Sequence, residues 1–261
     1  RGLGDVYKRQ SYHPAVAQSW TISPDGRVYT FRIRKGMTFT DGEKLDAHAV
    51  QANFDALIDN KKRHTWLEMM RLLVSAKAVD DETFVIEMKE PYYPMLTELA
   101  VTRPFAFVSP KVMKNGTTKD GVTAFVGSGP WLVEHVIDEY SVFERNEDYW
   151  GAKPAFRRVV VKVIPDNQTR ILALEKGEAD LIWGKNMVDA DALNKYRSSD
   201  RFGIAVSDPT STRQIVLNTN NEFLADVRVR RALQHATNKK VISRGVFHGF
   251  EPPADTLYSP S

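Results

Sequence analysis

Six histidines are the residues to weigh first, because imidazole is the commonest protein ligand for a transition metal. His13, His48, His64, His135, His235 and His248 are scattered, with no HExxH and no close pair. A metal site built by the chain itself needs three or four converging ligands, so none is expected here. Without cysteine there is neither a thiolate nucleophile nor a disulfide. There is no GxSxG elbow, no Walker A loop and no GxGxxG after a strand, which leaves acyl transfer, phosphoryl transfer and dinucleotide chemistry without an anchor. The acidic clusters Asp80-Asp81-Glu82 and Glu147-Asp148 stand beside turn residues and read as solvated loops. Gly127-Ser128-Gly129 suggests a phosphate cradle, but Pro130 removes a backbone donor from it. The sequence reads as that of a protein that is not an enzyme and carries no cofactor.

Arg63 closes the run Lys61-Lys62-Arg63, and Arg103 precedes Pro104, which biases its backbone to an extended form suited to a loop. From the residues alone the basic run reads more simply as a solvated helix end, Trp66 as core, and His64 as a solvent-facing neighbour of Arg63. The net charge of +3 does not favour nucleic acid: Arg1, Lys8 and Arg9 less Asp5 supply +2 of it, and no basic stripe or aromatic platform follows. No apolar run reaches the roughly 18 residues that a membrane span requires.

The elements that must position these side chains follow from periodicity and turn chemistry. Ser23-Pro24-Asp25-Gly26 predicts a turn, and Tyr29, Phe31 and Ile33 then alternate with Thr30, Arg32 and Arg34 as one buried face of a strand. Asp41-Gly42 predicts the next turn. Asp46 is a good N-cap, and Val50, Phe54, Leu57 and Ile58 share one face of a helix over 46–59, with cations from Lys61 onward at its end. Thr65-Trp66-Leu67 opens another element, 83–88 reads as a strand, and Tyr92-Tyr93-Pro94-Met95 starts a short helix toward Arg103-Pro104-Phe105. Beyond Trp131, strands are predicted over 132–134, 141–145 and 158–164 and a helix over 167–176, an alternation that favours an α/β sheet domain. Segments 180–183 and 214–218 read as further short strands, 225–236 and 239–246 as helices. The opening ten residues lack Met and apolar period and read as a non-native or disordered leader; the Pro- and Ser-rich stretch 251–261 looks cut off.

Several segments together resemble the nickel-, dipeptide- and oligopeptide-binding family of solute-binding components of ABC importers. They are Trp20-Thr21, Pro24 through Arg34, Phe39-Thr40-Asp41-Gly42-Glu43, Gly127-Ser128-Gly129-Pro130-Trp131, Asn146 through Gly151, Gly177 through Leu181, and Asp226 through Leu233. Each is weak alone, but they follow in the family's order over residues 11–261. The stretches Asp59 through Glu68, Tyr92 through Phe105, and Ala254-Asp255-Thr256-Leu257 are similar to its nickel-binding branch in particular.

The resemblance implies an α/β, two-lobed periplasmic binding protein of type II. Residues 11–19 and 127–218 would form the sheet domain of the first lobe, 20–126 an inserted α+β subdomain, and 219–261 the crossover and the start of a truncated second lobe. It places Arg63, Trp66 and Arg103 at the ligand cleft, with His64 as a further candidate, and nickel there as a chelate with a small carboxylate metallophore; a histidine of the second lobe could complete the coordination. The implied partners are the ABC permease's transmembrane subunits and a small-molecule metal chelate or peptide, with no nucleic acid, and the implied state is a monomer. The implied location is the periplasm, or the cell surface on a lipid anchor in a Gram-positive host. A dipeptide or oligopeptide binder of the same fold and a receptor or scaffold that has lost transport are the alternatives.

Overall fold

The computed structural model describes residues 4–7, 11–209 and 211–256. Two compact units divide the chain, residues 1–163 and 164–261. Of the opening ten residues, 1–3 and 8–10 lie outside the described ones, while Gly4–Tyr7 (β1) pairs antiparallel with Ser11–Pro14 (β2). Leu257 and the residues after it also lie outside them.

In the first unit, Ala17–Ile22 (β3) and Val28–Ile33 (β4) form the expected hairpin across the turn at Ser23–Gly26, where the Gly26 amide donates to the Ser23 oxygen at 2.8 Å. Gly26 sits at φ 70°, a conformation that glycine adopts without a Cβ penalty. Ala47–Asp59 (α1) starts where Asp46 accepts the Ala49 amide at 2.9 Å. A 3-10 turn, Lys61–His64, follows it, and then Glu68–Leu72 (α2), Leu73–Ala78 (β5) and Thr83–Met88 (β6). The sheet order is β3-β4-β6-β5, antiparallel throughout.

The alternation in β4 does what period two requires: Tyr29, Phe31 and Ile33 are buried, and α1 lays Val50, Phe54 and Leu57 into the same core. The ring of Phe54 lies 4.9 Å from that of Phe84 and 5.9 Å from that of Phe105. Phe105 is the last residue of the short turn Thr102–Phe105 (α4), which follows Met95–Leu99 (α3), so the core anchors the segment that bears Arg103. Beyond a 3-10 turn at Pro110–Val112, Met113–Lys114 (β7) and Thr117–Val122 (β8) make a hairpin through Asn115 and Gly116, both at positive φ.

Trp131–Val136 (β9), Tyr140–Arg145 (β10) and Arg158–Lys162 (β11) form a three-stranded sheet in the order β11-β10-β9. It is antiparallel, contrary to the strand–helix alternation expected here. The connections explain this: three residues join β9 to β10, and no helix lies between β10 and β11, whereas a parallel pair needs a crossover of about a dozen residues or more.

The second unit contains Asn167–Lys176 (α5), Ala190–Tyr196 (α6), Glu222–Ala225 (α7), Val227–Ala236 (α8) and Lys239–Phe247 (α9). Asp166 caps α5 by accepting the Thr169 amide at 2.7 Å, and Gly177 ends it at φ 76°. The helix expected over 225–236 is broken at Asp226, which is extended and caps α8 by accepting the Arg228 amide at 2.8 Å. The strands expected over 180–183 and 214–218 do not form: among the described residues of this unit there is no strand for them to pair with, and Leu181, Trp183, Ile215 and Val216 are exposed. Among the described residues no helix is long and apolar enough to cross a membrane.

Candidate functional site

The site begins at the end of α1. The Arg63 amide donates to the Asn60 oxygen at 3.0 Å, and the Leu67 amide to the His64 oxygen at 3.0 Å, so residues 61–67 fold as two tight turns. Leu67 is fully buried and fastens this loop to the core. Arg63 is exposed, and Trp66 is 59% exposed, so Trp66 is not the core residue that its composition suggested.

Arg103 arrives from a separate part of the chain. Its backbone is extended (φ −112°, ψ 123°) within α4, as the following proline favours, and its peptide bond to Pro104 is cis. Phe105, two residues on, is buried, so an exposed arginine is carried on an anchored strand-like residue.

His64 links the two. Its ring is half-buried, and burial together with the charges of Arg103 and Arg63 holds its pKa below the usual imidazole value. The fold thus gathers Arg63, His64 and Arg103 into one electropositive cluster, with Trp66 in the same loop as the first two. Among the described residues neither the Arg63 nor the Arg103 guanidinium has a hydrogen-bond or ion-pair partner. Among the described residues Arg157, Arg231 and Arg244 share this state, whereas Arg27 holds Asp25 at 2.7 Å, Arg145 holds Glu147 at 2.8 Å and Arg213 holds Glu251 at 2.9 Å.

A third element of the site was not visible in the sequence. The Glu98 carboxylate, half-buried on α3, accepts the first two amides of α2, from Glu68 at 3.2 Å and Met69 at 3.0 Å, and the Tyr92 hydroxyl at 2.8 Å. Burial and this bond to a carboxylate push the Tyr92 phenol up to about 12. The Tyr29 hydroxyl, in turn, donates to the Tyr92 main-chain oxygen at 2.9 Å, which ties the cluster to β4. A glutamate in a short, mostly apolar helix was the signal available, but the two amides that it holds lie 30 and 29 residues away.

Among the described residues no group of three histidine or carboxylate side chains is placed to hold a metal ion. The histidines other than His64 stand apart: His48 faces Asp81 at 3.4 Å, His135 stacks near Tyr140 and His248 contacts Asp191 at 2.6 Å. An open cavity of about 400 Å3, lined in part by Thr40, Phe125, Leu132 and His135, includes none of the candidate residues. Two guanidinium forks without a protein partner, near a half-buried imidazole and an exposed indole, can grip carboxylates and wall off an apolar face, which is binding chemistry.

The nickel-binding periplasmic protein of Escherichia coli strain K12 is 40% identical over 250 residues, 95% of this chain and 48% of that protein. The dipeptide-binding protein of the same strain is 28% identical over 271 residues, 95% of this chain and 50% of that protein. The crystal structure of NikA from Brucella suis in complex with Fe(III)-EDTA superposes with a TM-score of 0.95 and 41% identity over all of this chain and 53% of that one. The fold is therefore that of the type II periplasmic binding proteins, and the chain spans about half the length of the relatives it matches. The family model described as bacterial extracellular solute-binding proteins, family 5 Middle, matches residues 11–261, and the chain belongs to that family.

Proposed function

We propose that the protein containing this chain is the solute-binding component of an ABC importer that captures nickel as a chelate with a small carboxylate metallophore and delivers it to a membrane permease. The observation that carries this reading is a pair of exposed guanidinium groups without a protein partner, Arg63 and Arg103, both near enough to half-buried His64 for their charges to lower its pKa. A bare cation is the wrong ligand for them. One positive charge about 4 Å from an arginine is repelled by roughly 4 kcal/mol at an effective dielectric of 20, and a divalent ion by more. Carboxylates around the metal reverse that sign. The similarity to a nickel-binding protein and to a protein crystallised with Fe(III)-EDTA, a polycarboxylate chelate, points the same way.

In this reading residues 20–126 are the inserted subdomain that carries all four candidate residues, and closure of two lobes buries the ligand without bond chemistry. The protein works in the periplasm, or at the cell surface from a lipid anchor. A dipeptide ligand, which the dipeptide-binding relative raises, needs a carboxylate facing its ammonium group. Glu98 is already engaged by two amides and a phenol, and the other candidates are basic or apolar. Calorimetric titration of the full-length protein with free nickel ion, nickel citrate and a dipeptide pool tests the reading. Heat from nickel citrate alone is expected; heat from dipeptides alone would move the protein to the peptide branch.

A further inference from the structure

We propose that Glu98 is a positioning residue that sets the spacing between the Arg63–Trp66 loop and Arg103, and so fixes which pattern of ligand carboxylates the site accepts. The inference rests on the reading of Arg63 and Arg103 as ligand-holding groups.

The Glu98 carboxylate belongs by covalent connection to one half of the site and by hydrogen bonding to the other. On its own side, the Val101 amide donates to the Glu98 main-chain oxygen at 3.1 Å, and Arg103 follows two residues later. On the other side, its two oxygens receive the amides of Glu68 and Met69, which come directly after the Trp66-Leu67 turn.

The amides at a helix start have no partner within the helix. Helix α2 is five residues long, and Leu67, at its N-cap, has no side chain able to cap it. The cap therefore comes from a residue 29 and 30 positions away. Tyr92 closes the arrangement, since its hydroxyl bonds the same carboxylate while its main-chain oxygen is held by Tyr29 of β4. The clamp is thereby referenced to the sheet and does not float with the loops.

The residue type is demanding. All three partners donate, so both oxygens must accept. Glutamine turns one oxygen into a donor, which then opposes either the Met69 amide or the pair formed by Glu68 and Tyr92. Aspartate is one methylene shorter and cannot reach both strands of chain without moving one of them. Neither change touches the two arginines.

A role confined to stability and a role in positioning differ in what they couple to. The test uses the full-length protein as wild type, Glu98→Gln, Arg103→Ala and the double variant, titrated with nickel citrate, together with amide hydrogen exchange at Glu68 and Met69. We expect Glu98→Gln to lose about tenfold in affinity, the scale of one charge-assisted hydrogen bond. The double variant should bind no more weakly than Arg103→Ala alone, and the Glu68 and Met69 amides should exchange faster in Glu98→Gln than in wild type. Wild-type affinity in Glu98→Gln, or losses that multiply in the double variant, would overturn the positioning role. Should Glu98→Gln fail to fold, Tyr92→Phe removes one donor and leaves the carboxylate in place; the same non-additivity with Arg103→Ala is expected, and its absence counts against the proposal equally. A wild-type protein that takes no nickel citrate defeats the ligand reading, and the positioning role falls with it, whereas unchanged exchange at Glu68 and Met69 would defeat the clamp alone.

Discussion

Asn53 and Val108 are joined by a two-way hydrogen bond, in which the Asn53 side-chain amide donates to the Val108 oxygen at 2.9 Å and accepts its amide at 3.0 Å. Asn53 lies on α1, which leads to Arg63, and Val108 lies in the segment that follows Arg103. One side chain thus registers the two parts of the chain that supply the cluster. Asn53→Leu leaves both main-chain groups of half-buried Val108 without this partner, at a combined cost of about 1–3 kcal/mol once their access to water is allowed for. A loss of stability in that range, read from a denaturant midpoint with unchanged slope, is expected.

Arg103→Ala should weaken binding of an anionic nickel chelate by about 1.5–3 kcal/mol, the worth of a hydrogen bond to a charged group. A chelate of similar size without free carboxylates should lose far less. Competition titration with both ligands measures the difference, and equal losses would contradict the role.

Trp66→Ala should leave stability within about 0.5 kcal/mol of wild type, because the indole is mostly exposed. Affinity for the chelate should fall, while the slope of log affinity against log salt stays the same, since an apolar wall carries no counter-ions. A thermal melt and a salt series check both parts.

His64 should titrate below the ordinary imidazole value in the free protein, because burial and the charges of Arg103 and Arg63 disfavour its protonated form. The sign for stability follows from proton uptake. Below the unfolded value near 6.5 the unfolded chain binds the proton more readily, so the His64 contribution makes stability fall as pH drops from there through the folded pKa, and level off below it. An anion seated between the arginines reverses the local field, so chelate binding should move the His64 midpoint upward. NMR titration of the ring with and without ligand reads the shift, and Arg103→Ala should raise the free-state midpoint.

The parts of the fold that follow from local rules were legible in the sequence. Asp46 with Val50, Phe54 and Leu57, and Asp166 with Gly177, each combine a cap with a periodic face or a left-handed stop, and both helices form over the predicted residues. The β4 alternation placed Tyr29, Phe31 and Ile33 inward correctly. The hairpin at Asn115-Gly116 carries the strongest short-range turn signal for two paired strands and was still missed, because β7 and β8 lack an apolar alternation. Segments 180–183 and 214–218 have strand composition, but pairing is a property of neighbours, and the second unit offers none among its described residues. The resemblance to the family named Arg63, Trp66 and Arg103. Composition had favoured a solvated end for Arg63, which is exposed, and a core place for Trp66, which is not buried, while the Glu98 clamp leaves no local pattern because its amide partners lie 29 and 30 residues away.

In the proposed function Arg63 and Arg103 together hold the carboxylates of a metal chelate. Calorimetric titration of nickel citrate into the full-length protein and into its Arg63→Ala/Arg103→Ala variant tests it most directly. Wild-type binding should weaken as salt rises, and the variant should lose about a hundredfold or more in affinity, from two charge-assisted bonds of about 1.5–3 kcal/mol each. A double variant that binds the chelate as wild type does would contradict it.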